Sequence, residues 1–299
     1  MAVAVAVSRI RLARLGHVRL CSAHAKPLVE FYESALGFRE VAVEHLSGAR
    51  SQERFEIAGR SLRITLELGA QKIKLVQFID QPGDAYPFGS TSSDRVFQHF
   101  AIVVADMASA MAQLSRARGW TPITRDGPQR LPASSGGVTA FKFRDPEGHP
   151  LELLHFPPGN VPAHWQQRQA HGPFLGIDHS AICVGDSARS AAFYASLGLD
   201  RSQQSVNDDP AQARLDHLKD PTVEVTAMSP AQSTPHVELL CYRGTRGVKV
   251  LDLRANDVAA TCLVFKPDKF GSNQETSRPP VQNLVDPDGH HLAIAWHEA

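Results

Sequence analysis

The sequence has no excess of either charge: Lys+Arg and Asp+Glu each number 31, so the formal net charge is zero. A chain that tracks a phosphate backbone carries a basic excess or at least a basic run. Neither is present, so nucleic acid is not an expected partner. Cysteine is scarce: Cys21, Cys183, Cys241 and Cys262 stand far apart and form no CxxC pair. They read as reduced thiols in a cytoplasmic protein rather than as a disulfide framework. No apolar run approaches the length of a membrane span, so no membrane association is expected. The opening MAVAVAVSRIRLARLGH sets its arginines after a short apolar run. A secretory signal has the opposite order, with charge before a longer apolar stretch. The expected setting is the cytoplasm.

What is present suffices for packed cores, with 42% hydrophobic residues in a chain of 299. That length suits one large domain or two medium ones. Two patterns occur twice. HVRLCSAHAKPLVEFY (His17 to Tyr32) matches HSAICVGDSARSAAFY (His179 to Tyr194) in its opening His, its Cys and its closing Phe-Tyr. Each copy is followed by Leu-Gly within a few residues. The spacing predicts strand, helix and helix stop. Leu28, Phe31, Tyr32 and Ala35 form one apolar helix face, and Gly37 and Gly198 sit where a left-handed terminus favours glycine. The second pattern pairs FKFRDPEGHPLELLHF (Phe141 to Phe156) with VQNLVDPDGHHLAIAW (Val281 to Trp296). Both read as β-hairpins whose Asp-Pro-x-Gly supplies the turn. His149 and His290, directly after those turns, are read as turn residues and not as ligands.

Between these landmarks SLRITLELG and KIKLVQFID form a further hairpin. In QHFAIVVAD the alternation sets Phe100, Ile102 and Val104 on one face and His99 with Ala101 on the other. A helix capped by Asp106 follows. The chain therefore reads as four strand–helix–three-strand units in two halves. The polar, proline-rich PPGNVPAHWQQRQAHGP (157–173) separates them. The expected division is a first module over 8–157, a linker over 158–174 and a second module over 175–299.

These motifs together resemble the vicinal oxygen chelate superfamily, which includes glyoxalase I, bleomycin-resistance proteins and type I extradiol dioxygenases. The resemblance runs from about residue 14 onward. It implies an α+β fold of four tandem βαβββ units forming two modules, each a curved mixed-sheet cup with helices outside. It also implies a divalent metal inside a cup, held from the first and last strands of units. Carried over residue by residue, it points to His17, His99 and Glu152 as metal ligands in the first half, with Lys74 where a further Glu is usual. In the second half it points to His179 and Glu238 as a vestigial pair. The remaining positions there fall on Val250 and Ala293, which cannot bind metal, so that half is expected to be mainly structural.

Two imidazoles and one carboxylate make the facial set of non-haem iron oxygenases. The leading expectation is therefore an extradiol-type dioxygenase with Fe(II), acting on a small aromatic or vicinal-oxygen substrate. Lys142 stands where such enzymes often carry Tyr. It and Lys74 are the candidate catalytic groups, with Arg19 and Cys21 as candidate substrate contacts and Arg130 as a solvated surface residue. The alternatives are a lyase or isomerase using Zn, Mn or Ni as a Lewis acid, or a non-enzymatic binding or drug-resistance protein. Glyoxalase chemistry uses a second Glu as base, and Lys74 speaks against it. A homodimer is possible but not required, because paired modules can build the cup within one chain.

Overall fold

The computed structural model describes residues 11–167, 172–232, 234–244, 247, 253–268 and 280–296. The first unit comprises β1 (Leu12–Cys21), α1 (Ala25–Leu36), β2 (Arg39–Leu46), α2 (Ala49–Phe55), β3 (Ser61–Leu68) and β4 (Gln71–Phe78). The second comprises β5 (Gln98–Val104), α3 (Met107–Leu114), the short β6 (Thr121–Pro122) and β7 (Gln129–Arg130), then β8 (Thr139–Arg144) and β9 (Pro150–His155). After a short α4 (Ala163–Gln166), the third unit comprises β10 (Phe174–Cys183), α5 (Ser187–Ser196), β11 (Asp200–Asn207), α6 (Pro210–Asp216), β12 (Thr222–Ser229) and β13 (His236–Arg243). Among the described residues the fourth unit shows β14 (Cys262–Pro267), β15 (Val281–Val285) and β16 (His291–Ala295). Val250 lies outside the described residues.

Local chemistry accounts for the element ends. Helix α1 buries Leu28, Phe31, Tyr32 and Ala35 on one face and ends at Gly37, whose φ of 71° is left-handed. Asp106 and Asp186 cap α3 and α5 by accepting from the backbone N–H of Ser109 (2.7 Å) and Arg189 (2.9 Å). Among the described residues, no helix is long and apolar enough to cross a membrane.

Among the described residues the strands form two sheets. One has seven strands in the order β15-β16-β14-β1-β4-β3-β2, and the other has the nine-strand order β11-β12-β13-β10-β5-β9-β8-β6 with β7 alongside β8. Each sheet joins two units through antiparallel pairing of their opening strands, β1 with β14 and β10 with β5. The first unit thus shares a sheet with the fourth, and the second with the third. Each cup is completed within one chain, but not from one half of it as the sequence reading expects. Strand periodicity states which face of a strand is buried, and both pairings satisfy the same periodicity.

The two units of each half are tied together across the sheets. Apolar side chains from both sheets, Leu20, Ile64 and Leu75 from one and Phe100, Leu153 and Leu239 from the other, share one core with Tyr32 and Tyr194. Tyr32 donates to Asp145 at 3.1 Å, and His149 bridges Asp145 (2.8 Å) and the carbonyl of Cys21 (3.0 Å). The second half repeats the latch: Tyr194 donates to Asp286 at 3.3 Å, and His290 lies 2.8 Å from the Cys183 carbonyl. The repeated Phe-Tyr and Asp-Pro-x-Gly-His motifs therefore clamp each odd unit to the next one across the sheets. His149 and His290 are structural, as read from sequence.

Candidate metal centre and its cavity

In the nine-stranded sheet, alternation turns Phe100, Ile102 and Val104 into the core and leaves His99 on the opposite face, 3% exposed. The registers bring four candidate ligands together. Ala181 of β10 pairs with His99 on one side and Glu238 on the other, while Ala101 lies between His179 and Glu152. These come from the opening and closing strands of the second and third units. His99 Nε2 lies 3.3 Å from Glu152 Oε2, and His179 Nε2 lies 3.5 Å from both Glu152 Oε2 and Glu238 Oε2. Donor atoms of His99, Glu152 and His179 all lie within 4.8 Å of one another.

The imidazoles carry ring nitrogens that no protein hydrogen bond satisfies. Both ring nitrogens of His99 and Nε2 of His179 are buried without a hydrogen-bond partner. A buried unsatisfied polar atom costs about 1–3 kcal/mol, and a cation at the centre would satisfy the inward-facing ones. His179 is also held from behind. Its Nδ1 lies 3.1 Å from Asp178 Oδ2, and Asp178 Oδ1 accepts from Trp165 Nε1 at 2.9 Å. A carboxylate behind the ring fixes its orientation and leaves Nε2 for the centre.

Electrostatics in the cluster are coupled. Burial pushes the Glu152 carboxyl up, but His179, His99 and Lys142 outweigh it and hold the group well below the usual carboxylate range. Burial lowers His99. The same burial opposes protonation of His179, yet Glu238, Asp178 and Glu152 raise it well above an ordinary imidazole. Asp178 is held at about 2, burial being outweighed by His179 and His236.

Lys142 stands opposite Glu152 in the β8–β9 register. Its ammonium donates to Asp216 at 2.6 Å, and Asp216 also accepts from Tyr242 (2.9 Å) and Gln212 (2.6 Å). The cluster opens into a cavity of about 530 Å³, a size typical of small-molecule sites. Apolar walls come from Leu131, Val138, Leu154 and Phe156, and polar groups from Asn207, Gln212 and His236.

Several sequence expectations are corrected here. His17 does not join His99 and Glu152. It lies on β1 in the seven-stranded sheet and lines a separate cup with Arg19 and Lys74. Cys21 is fully buried among Leu46, Phe55, Val76 and Phe78, away from the large cavity. His179 and Glu238, read as a vestigial pair, stand in the main cluster. The reason is the unit pairing: the opening strand beside His99 is β10, not β1. Lys74 does turn away from Ile73 and Leu75, as alternation requires, but into the other cup. Register identifies the counterparts there: Lys74 beside Arg19 corresponds to Glu238 beside Ala181, and Ala293 beside Val264 corresponds to Glu152 beside Ala101. Cys262, paired with Arg19, takes the place of His99.

Sequence reasoning missed Asp178 and His236. His236 precedes Glu238 by two residues in HVELL, so strand alternation alone puts both on one face. Its Nε2 lies 3.5 Å from Glu238 Oε1. Asp178 carried no such signal. The β10–β5 register slips between Ile177 and His179, so Asp178 is an extra residue that bulges and joins its neighbour at the cavity.

No curated protein matches the sequence. Among solved structures, glyoxalase I from Zea mays superposes with a TM-score of 0.56 at 17% identity, covering 94% of this chain and 92% of that one. A "putative dioxygenase" from Bacillus subtilis subsp. subtilis str. 168 gives 0.57 at 14% identity, covering 96% and 86%. At such identities the likeness is one of fold. The sequence itself is matched over residues 14–153 and 176–294 by the model of one family, and with the paired cups this shows that the chain belongs to the Glyoxalase/Bleomycin resistance protein/Dioxygenase superfamily.

Proposed function

We propose that this protein is a metal-dependent isomerase or lyase of the glyoxalase kind, with His99, Glu152, His179 and Glu238 as metal ligands. The observation that carries this reading is the second carboxylate. Glu238 stands 3.5 Å from His179 Nε2 in a cluster that already holds Glu152, so the objection raised by Lys74 falls away with Lys74 in the other cup. When bound, the metal would act as a Lewis acid on two adjacent substrate oxygens. Imidazole and carboxylate donors suit Zn, Ni, Mn and Fe(II) alike.

The chain's own groups divide the remaining work. Glu152, its side chain 7% exposed and contacted by both histidines, stays an anionic ligand. Glu238, at 24%, faces the cavity with His236 beside it. It is placed to take a proton from the carbon next to one substrate oxygen and return it to the neighbouring carbon, consuming no oxidant. Lys142, locked on Asp216, supplies a fixed positive charge toward an acidic substrate rather than a mobile proton.

Extradiol dioxygenation of a small aromatic substrate is the second reading. It is favoured by the fact that His99, Glu152 and His179 alone make a two-histidine, one-carboxylate set. The test starts with protein purified without chelators, expected to hold one divalent metal per chain. A hemithioacetal of a 2-oxoaldehyde, incubated anaerobically in D2O, should isomerise in wild type. Glu238→Gln should bind metal more weakly and, reloaded to full occupancy, still lose turnover by at least about 10²-fold, the usual worth of a positioned base. Oxygen uptake with a catechol, and no anaerobic isomerisation, would move the assignment to the second reading.

A further inference from the structure

The segment that joins the two halves runs along the large cavity, where Asn160, Pro162 and His164 stand in the wall beside Phe156. Its helix α4 has four residues, too few to hold itself, so tertiary contacts must set its place. Asn160 Nδ2 donates to the Gly136 carbonyl at 3.0 Å, and His164 Nε2 lies 3.2 Å from Thr234 Oγ1. Trp165 is the anchor. It is 2% exposed, and its Nε1–H donates to Asp178 Oδ1 at 2.9 Å. The other oxygen of that carboxylate lies 3.1 Å from Nδ1 of His179. A buried indole N–H needs an acceptor of some kind, and here it takes the group that orients a ligand histidine.

We propose that this linker is a working part of the metal cavity and that Trp165 is its positioning residue. Acting through Asp178, Trp165 orients His179 toward the metal and docks the linker as cavity wall in one hydrogen-bonded chain. The proposal rests on the metal reading of the cluster. A cation on the unpartnered Nε2 of His179 draws electron density from the ring and makes Nδ1–H a stronger donor to Asp178. Both oxygens of Asp178 are then fixed, one by the ring and one by Trp165. Without the indole N–H, Oδ1 of a buried carboxylate loses this donor, and the support behind His179 loosens. Partners directly behind a ligand histidine are worth about 10–100-fold in metal affinity, and Trp165, one step further out, falls at the lower end. Linkage makes the effect reciprocal, so metal tightens linker docking by the same factor. The wall that Asn160, Pro162 and His164 give the cavity is thus firmest when the metal site is filled.

The test measures zinc affinity by competition against a fluorescent chelator, and amide exchange of the peptide spanning 160–167 by mass spectrometry. Trp165→Phe keeps a buried ring and removes the N–H, so it is expected to weaken zinc binding by about tenfold. Trp120 packs on Phe141 and Phe143, and Trp120→Phe should leave the affinity unchanged. Zinc should slow exchange of the Trp165 and Gln166 amides, which donate to the Pro162 carbonyl. About tenfold slowing is expected in wild type and none in Trp165→Phe. In an Asp178→Ala background, Trp165→Phe should have no further effect on affinity, because the two residues act in series. Unchanged affinity in Trp165→Phe, equal weakening by Trp120→Phe, zinc-slowed exchange that persists in Trp165→Phe, or additive effects with Asp178→Ala would each overturn the proposal and leave the metal reading standing. Wild-type protein that binds no zinc would overturn both.

Discussion

The sharpest consequence of the unit pairing is a contrast between two histidines that look alike in sequence. His17 and His179 open matching motifs, yet only His179 stands in the cluster with His99 and Glu152. A four-ligand divalent site of the zinc type is worth about 10–16 kcal/mol in apparent binding energy near neutral pH. Shared evenly over His99, Glu152, His179 and Glu238, that is about 2.5–4 kcal/mol per ligand, or about 10²–10³-fold in affinity. His179→Ala should therefore weaken metal binding by about that factor, and His17→Ala should leave it unchanged. Competition against a fluorescent zinc chelator reads both values directly. His179→Ala also frees Asp178 from its contact at 3.1 Å, so the loss should fall toward the upper figure. Equal weakening by the two substitutions, or a larger effect from His17→Ala, would refute the assignment of the centre to the nine-stranded sheet.

Two further outcomes follow from buried cations. Lys142→Met leaves Asp216 buried without its ammonium, and breaking a buried pair from one side costs about 3–5 kcal/mol. Tyr242 and Gln212 still donate to Asp216, so the loss in urea unfolding should lie near the lower figure. Lys74 gives a pH signature. Its folded value of about 7, set by burial first and then by Arg63, Arg54 and Lys266 against Glu44, lies below the roughly 10.4 of a free lysine. Between those values the unfolded chain holds a proton that the folded chain lacks, so stability rises with pH across that window and is flat below it. In phosphate-free urea titrations from pH 6 to 10, Lys74→Met should remove that rise and be the more stable protein near pH 7. An unchanged slope would show that Lys74 is solvated.

The elements themselves are legible in the chain because their causes are local. The apolar face of α1 and the caps at Asp106 and Asp186 depend on residues within a turn or two. So do the left-handed Gly37 and the Asp-Pro-x-Gly hairpins. Alternation along QHFAIVV is enough to turn His99 away from the core, and the same rule carries Glu152, Glu238 and Lys74 to cup faces. Even His236 lay within reach of that rule, two residues ahead of Glu238.

What no local rule could supply is the identity of each strand's neighbour. Backbone N–H and C=O groups are the same at every residue, so β5 could have paired with β1 or with β10 under the same amphipathic pattern. The choice belongs to the packed whole, in which Tyr32 and His149 clamp units across the sheets while β10 closes against β5. One such pairing moved His17 out of the cluster and brought His179 and Glu238 in. One bulge turned Asp178 to the cavity behind His179. The sequence by itself determined the repeats, the strand faces and the residue types offered to each cup. The tertiary structure alone decided which offers meet, because a site built from several strands exists only once their edges have found each other.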